Sequence, residues 1–188
     1  MAKRARVERQ RRLSARSALA LLLWCSPCAA GASEEPVVAP VRAALIAEHA
    51  SIQPGGTTRV GVHFEIEDGW HIYADPPGDA GLPTTIRLSS PMKEAQVVFG
   101  PLQWPVHEQL IDPGDIKTFG YTGSLVLSSA LQLMPSKVRG ATVPVLAEVR
   151  WLACKNLCIP GSAALDLTLP VSLTPPTPAP HADLFQSH

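Results

Sequence analysis

The sequence has few cysteines and few aromatic residues, and it lacks any apolar run long enough to span a membrane. Four of its 188 residues are Cys, and Phe, Trp and Tyr together make up 5%. A membrane-spanning helix needs about 20 consecutive apolar residues. The apolar stretch at residues 18–24 is far shorter, and no later stretch reaches that length. The sequence therefore excludes a transmembrane helix.

Basic residues are scarce beyond residue 32. Residues 1–32 hold seven of the 16 Lys and Arg residues and one of the 16 Asp and Glu residues. The rest of the chain has nine basic and 15 acidic residues, which gives it a net charge of about −6. Because phosphate binding needs clustered Lys and Arg, this balance argues against nucleic acid as a partner.

The first 32 residues have the three parts of a secretory signal peptide. A basic segment reaches Arg16, the apolar stretch follows, and Ala30-Gly31-Ala32 is typical of a cleavage site. We therefore predict a signal peptide over residues 1–32 and a short acidic leader over residues 33–40. The alternative interpretation is a disordered basic tail on a cytoplasmic protein.

Removal of this segment would leave one pair of cysteines. Cys25 and Cys28 lie within the predicted signal peptide, whereas Cys154 and Cys158 lie in "WLACKNLCIPG". An exported protein meets oxidising conditions, so the second pair can form a disulfide. A bond across so short a loop removes little entropy from the unfolded chain, and Lys155 between the cysteines favours a thiolate.

Three roles are open to the pair. A zinc site needs three or four ligands, and this spacing supplies two. The spacing favours a redox-active pair, with a structural disulfide and half of a metal site as alternatives.

Alternating hydrophobicity predicts several half-buried strands. It is clearest at residues 59–67, 142–151 and 164–173, and further strands are predicted at residues 41–52, 70–74, 84–90, 95–100 and 124–133. For residues 41–52 a helical Ala-rich middle is the alternative. Residues 75–83 are predicted as a rigid loop and residues 103–123 as a long Pro- and Gly-rich connection. Seven or eight short strands without a long helix predict an all-β fold, an immunoglobulin-like antiparallel β-sandwich. The domain is predicted over residues 41–174, followed by a Pro-rich tail over residues 175–188 that adds no core strand.

Three motifs together resemble a known family. They are "GWHIYADPPGDAGLPTTIRL" at residues 69–88, "FGYTGSLVL" at 119–127 and "VRWLACKNLCIPGSAALDLTLPV" at 149–171. They resemble the N-terminal periplasmic domain of the thiol:disulfide interchange protein DsbD, most closely the branch that includes copper-sensitivity suppressor proteins. The resemblance covers most of residues 41–173 in matching order. It implies a periplasmic immunoglobulin-like domain that acts as a protein-disulfide reductase or interchange component.

The resemblance also implies roles for individual residues. Cys158 would form the mixed disulfide with a partner, and Cys154 would resolve it. Phe119 is the best candidate for an aromatic cap over the pair, and Tyr121 is a weaker one. Apart from the resemblance, the alternation at residues 70–74 favours a packing role for His71 and Tyr73, with lining of the cysteine site by Tyr73 or His71 as the alternative. No cofactor and no metal are expected.

The expected partners are periplasmic thioredoxin-like or disulfide-isomerase proteins. A separate membrane electron donor is also expected, because the sequence shows no membrane-spanning part of its own. The alternative function is a non-catalytic module that binds protein or copper and carries a structural disulfide.

Overall fold

Ten strands and one short 3-10 helix make up the secondary structure of the described residues. The computed structural model describes residues 39–92, 96–135 and 141–186. The whole predicted signal peptide and residues 33–38 of the predicted leader therefore lie outside the described residues. The strands are β1 (Val41–Ala47), β2 (Thr57–Ile66), β3 (His71–Gly78), β4 (Thr85–Ser89), β5 (Val97–Phe99), β6 (Glu108–Asp112), β7 (Ile116–Tyr121), β8 (Ser124–Leu133), β9 (Thr142–Cys154) and β10 (Cys158–Pro170), and the helix is Ala182–Gln186.

The strands form two antiparallel sheets that pack as a sandwich. One sheet has the order β1-β2-β8-β5, and the other has the order β10-β9-β3-β7-β6 with β4 paired to β9. Long alternating strands supply the core, because each buries every second side chain against the opposite sheet. The predicted antiparallel β-sandwich is confirmed.

The core joins β2 of one sheet to β9 of the other. On β2 the side chains of Val60, Val62 and Phe64 are fully buried, as their alternation predicts. The Phe64 ring meets Trp151 of β9 edge to face, with ring centroids 5.8 Å apart. Trp151 in turn lies against Gly161 of β10, where a side chain would collide with the indole. The core therefore supports the β9–β10 hairpin directly.

The segment predicted as a long connection contains a hairpin instead. Strands β6 and β7 pair between Glu108 and Tyr121 and turn at Pro113-Gly114-Asp115. The prediction of seven or eight strands was therefore too low. Gly114 and Asp115 both have positive φ values, 93° and 59°, as a tight turn requires. Proline and glycine here mark a turn between two strands, and their number hid the strands on either side.

The region predicted as a rigid loop is partly strand. β3 continues through Asp75-Pro76-Pro77 to Gly78, with a cis peptide bond between Asp75 and Pro76. Its pairing with β7 is irregular between Tyr73 and Gly78. The two prolines interrupt the hydrogen-bond ladder without ending the strand.

The predicted Pro-rich tail is held beside the end of β1 by backbone hydrogen bonds around Pro178, and it packs on the first sheet through one aromatic ring. Phe185 is 1% exposed and contacts Ile46 and Val126. Arg59 donates a hydrogen bond to the Phe185 carbonyl, and its guanidinium lies 5.3 Å from the centre of the ring. Arg59 also forms two hydrogen bonds with Glu48. The tail adds no strand, but it adds a buried side chain.

Candidate functional site

The β9–β10 hairpin positions the two cysteines. Cys154 is the last residue of β9 and Cys158 the first of β10, and they are direct partners in the strand register. They form a disulfide with their Cα atoms 4.1 Å apart. Cys154 is 3% exposed, whereas Cys158 is exposed. The hairpin thus presents one cysteine to solvent and buries the other.

A pocket of about 260 Å³ opens beside the disulfide. Both cysteines line it, together with Tyr73 of β3 and residues from the β6–β7 turn. Its apolar side chains include Leu157, which is 59% exposed, and Ile116, which is 37% exposed. A partner chain that reaches Cys158 would meet an apolar rim.

The structure brings some of the predicted site residues together and separates others. Tyr73 lines the pocket with Cys154 and Cys158. Phe119 and Tyr121 are not among the residues that line this pocket. The Phe119 ring lies 4.9 Å from that of His107, and the Tyr121 hydroxyl donates to the Pro105 carbonyl at 3.0 Å. Their role as a cap stays a prediction.

Asp112 is a site residue that the sequence reasoning missed. It lies at the end of β6 and lines the pocket. Its Oδ2 atom accepts hydrogen bonds from the hydroxyls of Tyr73 and Thr118, both at 3.1 Å, and its Oδ1 atom lies 3.4 Å from His71 Nε2. The motif "IDPGDI" could have indicated a turn that carries a carboxylate.

Burial shifts the pKa values of the side chains around this carboxylate. It raises the pKa of Tyr73 to about 12, with further contributions from the hydrogen bond to Asp112 and its charge. Burial lowers the pKa of His71, and the Asp112 charge opposes that shift. Lys155 is directed elsewhere, because its Nζ donates to the Asp68 carbonyl at 3.1 Å.

We expect both tyrosines to stay neutral well above pH 10. They are the two tyrosines of the chain, and burial raises the pKa of each from 10.0 to about 12. Because the folded values exceed the unfolded ones, their contribution to stability is complete below pH 10 and is lost as the pH rises towards 12. Ultraviolet absorbance after a pH jump should show little tyrosinate in the native protein and two tyrosinates in denaturant. Full ionisation of native protein near pH 10 would contradict this.

The described ranges 39–92, 96–135 and 141–186 contain neither a cluster of metal ligands nor a membrane-spanning helix. No group of three or more His, Cys, Asp or Glu side chains there could hold a metal ion. Within those ranges, too, no helix is long and apolar enough to cross a membrane.

The chain is similar to a known family and to solved structures. The family model described as "Thiol:disulfide interchange protein DsbD, N-terminal" matches residues 39–170. The N-terminal periplasmic domain of ScsB from Proteus mirabilis is 20% identical with a TM-score of 0.54, over 81% of this chain and 53% of that one. The reduced DsbD N-terminal domain from Neisseria meningitidis is 17% identical with a TM-score of 0.31, over 69% and 91%. No curated protein matches the chain. The chain thus spans about half the length of the solved ScsB domain.

Proposed function

Because the chain belongs to the family of DsbD N-terminal domains, we propose that it exchanges disulfides with protein partners in the periplasm through Cys154 and Cys158. The family's chemistry is thiol–disulfide interchange, and the two cysteines are bonded to each other at the mouth of a pocket. The domain would act as a protein-disulfide reductase that passes on reducing equivalents.

The difference in exposure between the two cysteines carries the proposal. Cys158 is exposed at the start of β10, so a partner can approach its sulfur. Cys154 is 3% exposed behind it, which suits a cysteine that reacts only with its neighbour. In the reduced protein the Cys158 thiolate attacks the partner disulfide and forms a mixed disulfide. Cys154 then attacks the Cys158 sulfur and releases the reduced partner.

The surroundings of the pair fit a protein partner better than a small thiol. Leu157 and Ile116 place exposed apolar surface beside Cys158, and such surface is typical of protein contacts. We propose thioredoxin-like or disulfide-isomerase proteins as partners and a separate membrane protein as the electron donor. Phe119 and Tyr121 are proposed to cover the pair between encounters.

Trapping of the mixed disulfide tests the two cysteine roles. Reduced Cys154→Ala protein, mixed with an oxidised thioredoxin-fold isomerase, should accumulate a covalent complex visible on a non-reducing gel. Reduced Cys158→Ala protein should accumulate none, and the wild-type protein should form the complex only transiently. A complex with Cys158→Ala alone would reverse the roles. The absence of any complex, together with an unreacted isomerase in the wild-type sample, would refute exchange.

The reduction potential separates this function from that of a module with a structural disulfide. Structural disulfides lie below about −300 mV, and exchanging ones lie above it. We expect a potential above that value for the Cys154–Cys158 bond, measured by equilibration with glutathione or dithiothreitol buffers. A lower value would support the non-catalytic alternative.

A further inference from the structure

His71 is a buried histidine that faces a carboxylate. It is 9% exposed, and its Nε2 atom has no hydrogen-bond partner among the described residues. It lies 3.4 Å from Asp112 Oδ1. A buried polar atom without a partner costs free energy. Such an atom, aimed at a carboxylate, is poised to take up a proton.

The strand register places this histidine next to the buried cysteine. His71 of β3 lies directly opposite Cys154 of β9, so the two side chains share one face of the sheet with Cβ atoms about 5 Å apart. Asp112 lines the same pocket as Cys154 and Cys158. Three strands therefore bring a thiol, an imidazole and a carboxylate together.

Cys154 needs a proton acceptor at one step of the exchange. It attacks as a thiolate, and burial of a thiol disfavours its charged form. Cys158 is exposed and can lose its proton to water, whereas Cys154 is 3% exposed. The nearby ammonium of Lys155 is directed to the Asp68 carbonyl. The resolving step therefore calls for a base inside the site.

We propose that His71 and Asp112 form a proton relay for Cys154, an inference that rests on the proposed exchange function. The Cys154 thiol gives its proton to the His71 imidazole as its sulfur bonds to that of Cys158. The bond between Cys158 and the partner breaks, and its electron pair leaves on the partner sulfur. The imidazolium faces the Asp112 carboxylate and then returns the proton to the leaving thiolate. In reduction of the disulfide the same proton runs in the opposite direction.

The electrostatic surroundings suit this role. Burial lowers the pKa of His71, so that its imidazole is a free base near neutral pH. The titratable groups that face it are Asp112 from β6, Cys154 from β9 and Tyr73 from its own strand. Tyr73 donates its hydroxyl proton to Asp112, as Thr118 does. These two hydroxyls fix the carboxylate in place for the imidazolium.

Single-turnover exchange with glutathione disulfide tests the relay. Reduced protein forms a mixed disulfide at Cys158, and release of the second glutathione then reports attack by Cys154. At neutral pH, His71→Gln and Asp112→Asn should slow this second step by about 10²-fold. At strongly alkaline pH the variants should be only about threefold slower than the wild type in this step, because Cys154 ionises there without a base. In a Cys154→Ala background, the same substitutions should slow formation of the mixed disulfide far less than they slow the second step.

His63→Gln is the matched control. His63 is also partly buried with a lowered pKa, but it lies on β2 in the other sheet and contacts Ser124. Its replacement should leave both steps unchanged. Unchanged resolution in the His71 and Asp112 variants, or an equal loss at every pH, would overturn the relay. A cysteine pair that does not react with glutathione disulfide at all would instead refute the proposed function.

A pH profile measured with His71 and Asp112 in place makes the test independent of how the His71 and Asp112 variants fold. The rate of the resolving step should rise with pH in parallel with deprotonation of His71, followed by NMR of its imidazole in the Cys154→Ala mixed disulfide. A rate that follows a different titration would contradict the relay.

Discussion

Replacing Phe64 by alanine is expected to lower the free energy of unfolding by about 3–5 kcal/mol. The ring is fully buried between the sheets and meets Trp151 edge to face. Its removal takes away apolar burial and leaves a cavity that a β-sandwich, pinned by long hydrogen-bond ladders, cannot close. Urea denaturation of the oxidised protein would measure the loss.

The adjacent residue provides the control for Phe64. Glu65 points to the opposite side of β2, and its ion pair with Arg42 joins side chains that are 53% and 73% exposed. Exposed ion pairs contribute about 0–1 kcal/mol to stability. Glu65→Ala should therefore lower the free energy of unfolding by no more than about 1 kcal/mol. A Phe64→Ala loss no larger than the Glu65→Ala loss would show that this ring is not central to the core. Because Trp151 lies between Phe64 and Gly161, faster hydrogen exchange in the β9–β10 hairpin should accompany the loss of stability.

Replacing Gly81 by alanine is expected to cost about 3–5 kcal/mol and to disturb the site itself. Gly81 has a φ of 95°, outside the conformations that L-residues adopt readily. An added Cβ would also lie 2.5–2.7 Å from three ring carbons of Tyr73. The ring would have to move, and its hydroxyl would lose the hydrogen bond that it donates to Asp112 at 3.1 Å.

Gly123 separates the two causes of the Gly81 effect. Its φ is also positive, at 64°, but nothing lies within 4 Å of the position of an added Cβ. Gly123→Ala should therefore cost only the backbone strain, about 1–2 kcal/mol. Gly81→Ala should cost more, and one tyrosine should then titrate closer to pH 10. Equal losses for the two variants, with both tyrosine pKa values unchanged, would contradict the steric explanation.

The sequence allowed the fold class and the cysteine hairpin to be predicted because their signals are local. Alternation along residues 59–67 and 142–151 reflects burial of one face of each strand. The close spacing of Cys154 and Cys158 after the second of these segments indicated a hairpin, although Pro160 and Gly161, predicted as a turn, are paired within β10. These patterns depend on residues close together in the chain, so they could be recognised without knowing which strands pair or pack together.

The site around the cysteines could be predicted only in part, because it depends on strand pairing. Asp112 lines the pocket with Tyr73 and Cys154 because β6 and β7 pair as a hairpin. The proline and glycine of its turn, Pro113 and Gly114, favoured the prediction of a loop. The neighbour of Cys154 is His71, which lies 83 positions earlier and meets it only through the register of β3 with β9. Composition and spacing carry no signal for such a register. The alternation at residues 70–74 favoured packing for Tyr73 and His71 and gave lining of the cysteine site only as the alternative.

The buried ring of Phe185 has a consequence for how this module can be joined to other proteins. The family match ends at residue 170, yet a side chain 15 positions later is 1% exposed on the first sheet. A fusion or truncation made at residue 170 would remove Phe185 and expose the side chains of Ile46 and Val126. We expect the domain to keep its stability only when a fusion junction or a truncation lies after residue 186. The unit of folding is therefore longer at its carboxyl end than the segment that defines the family.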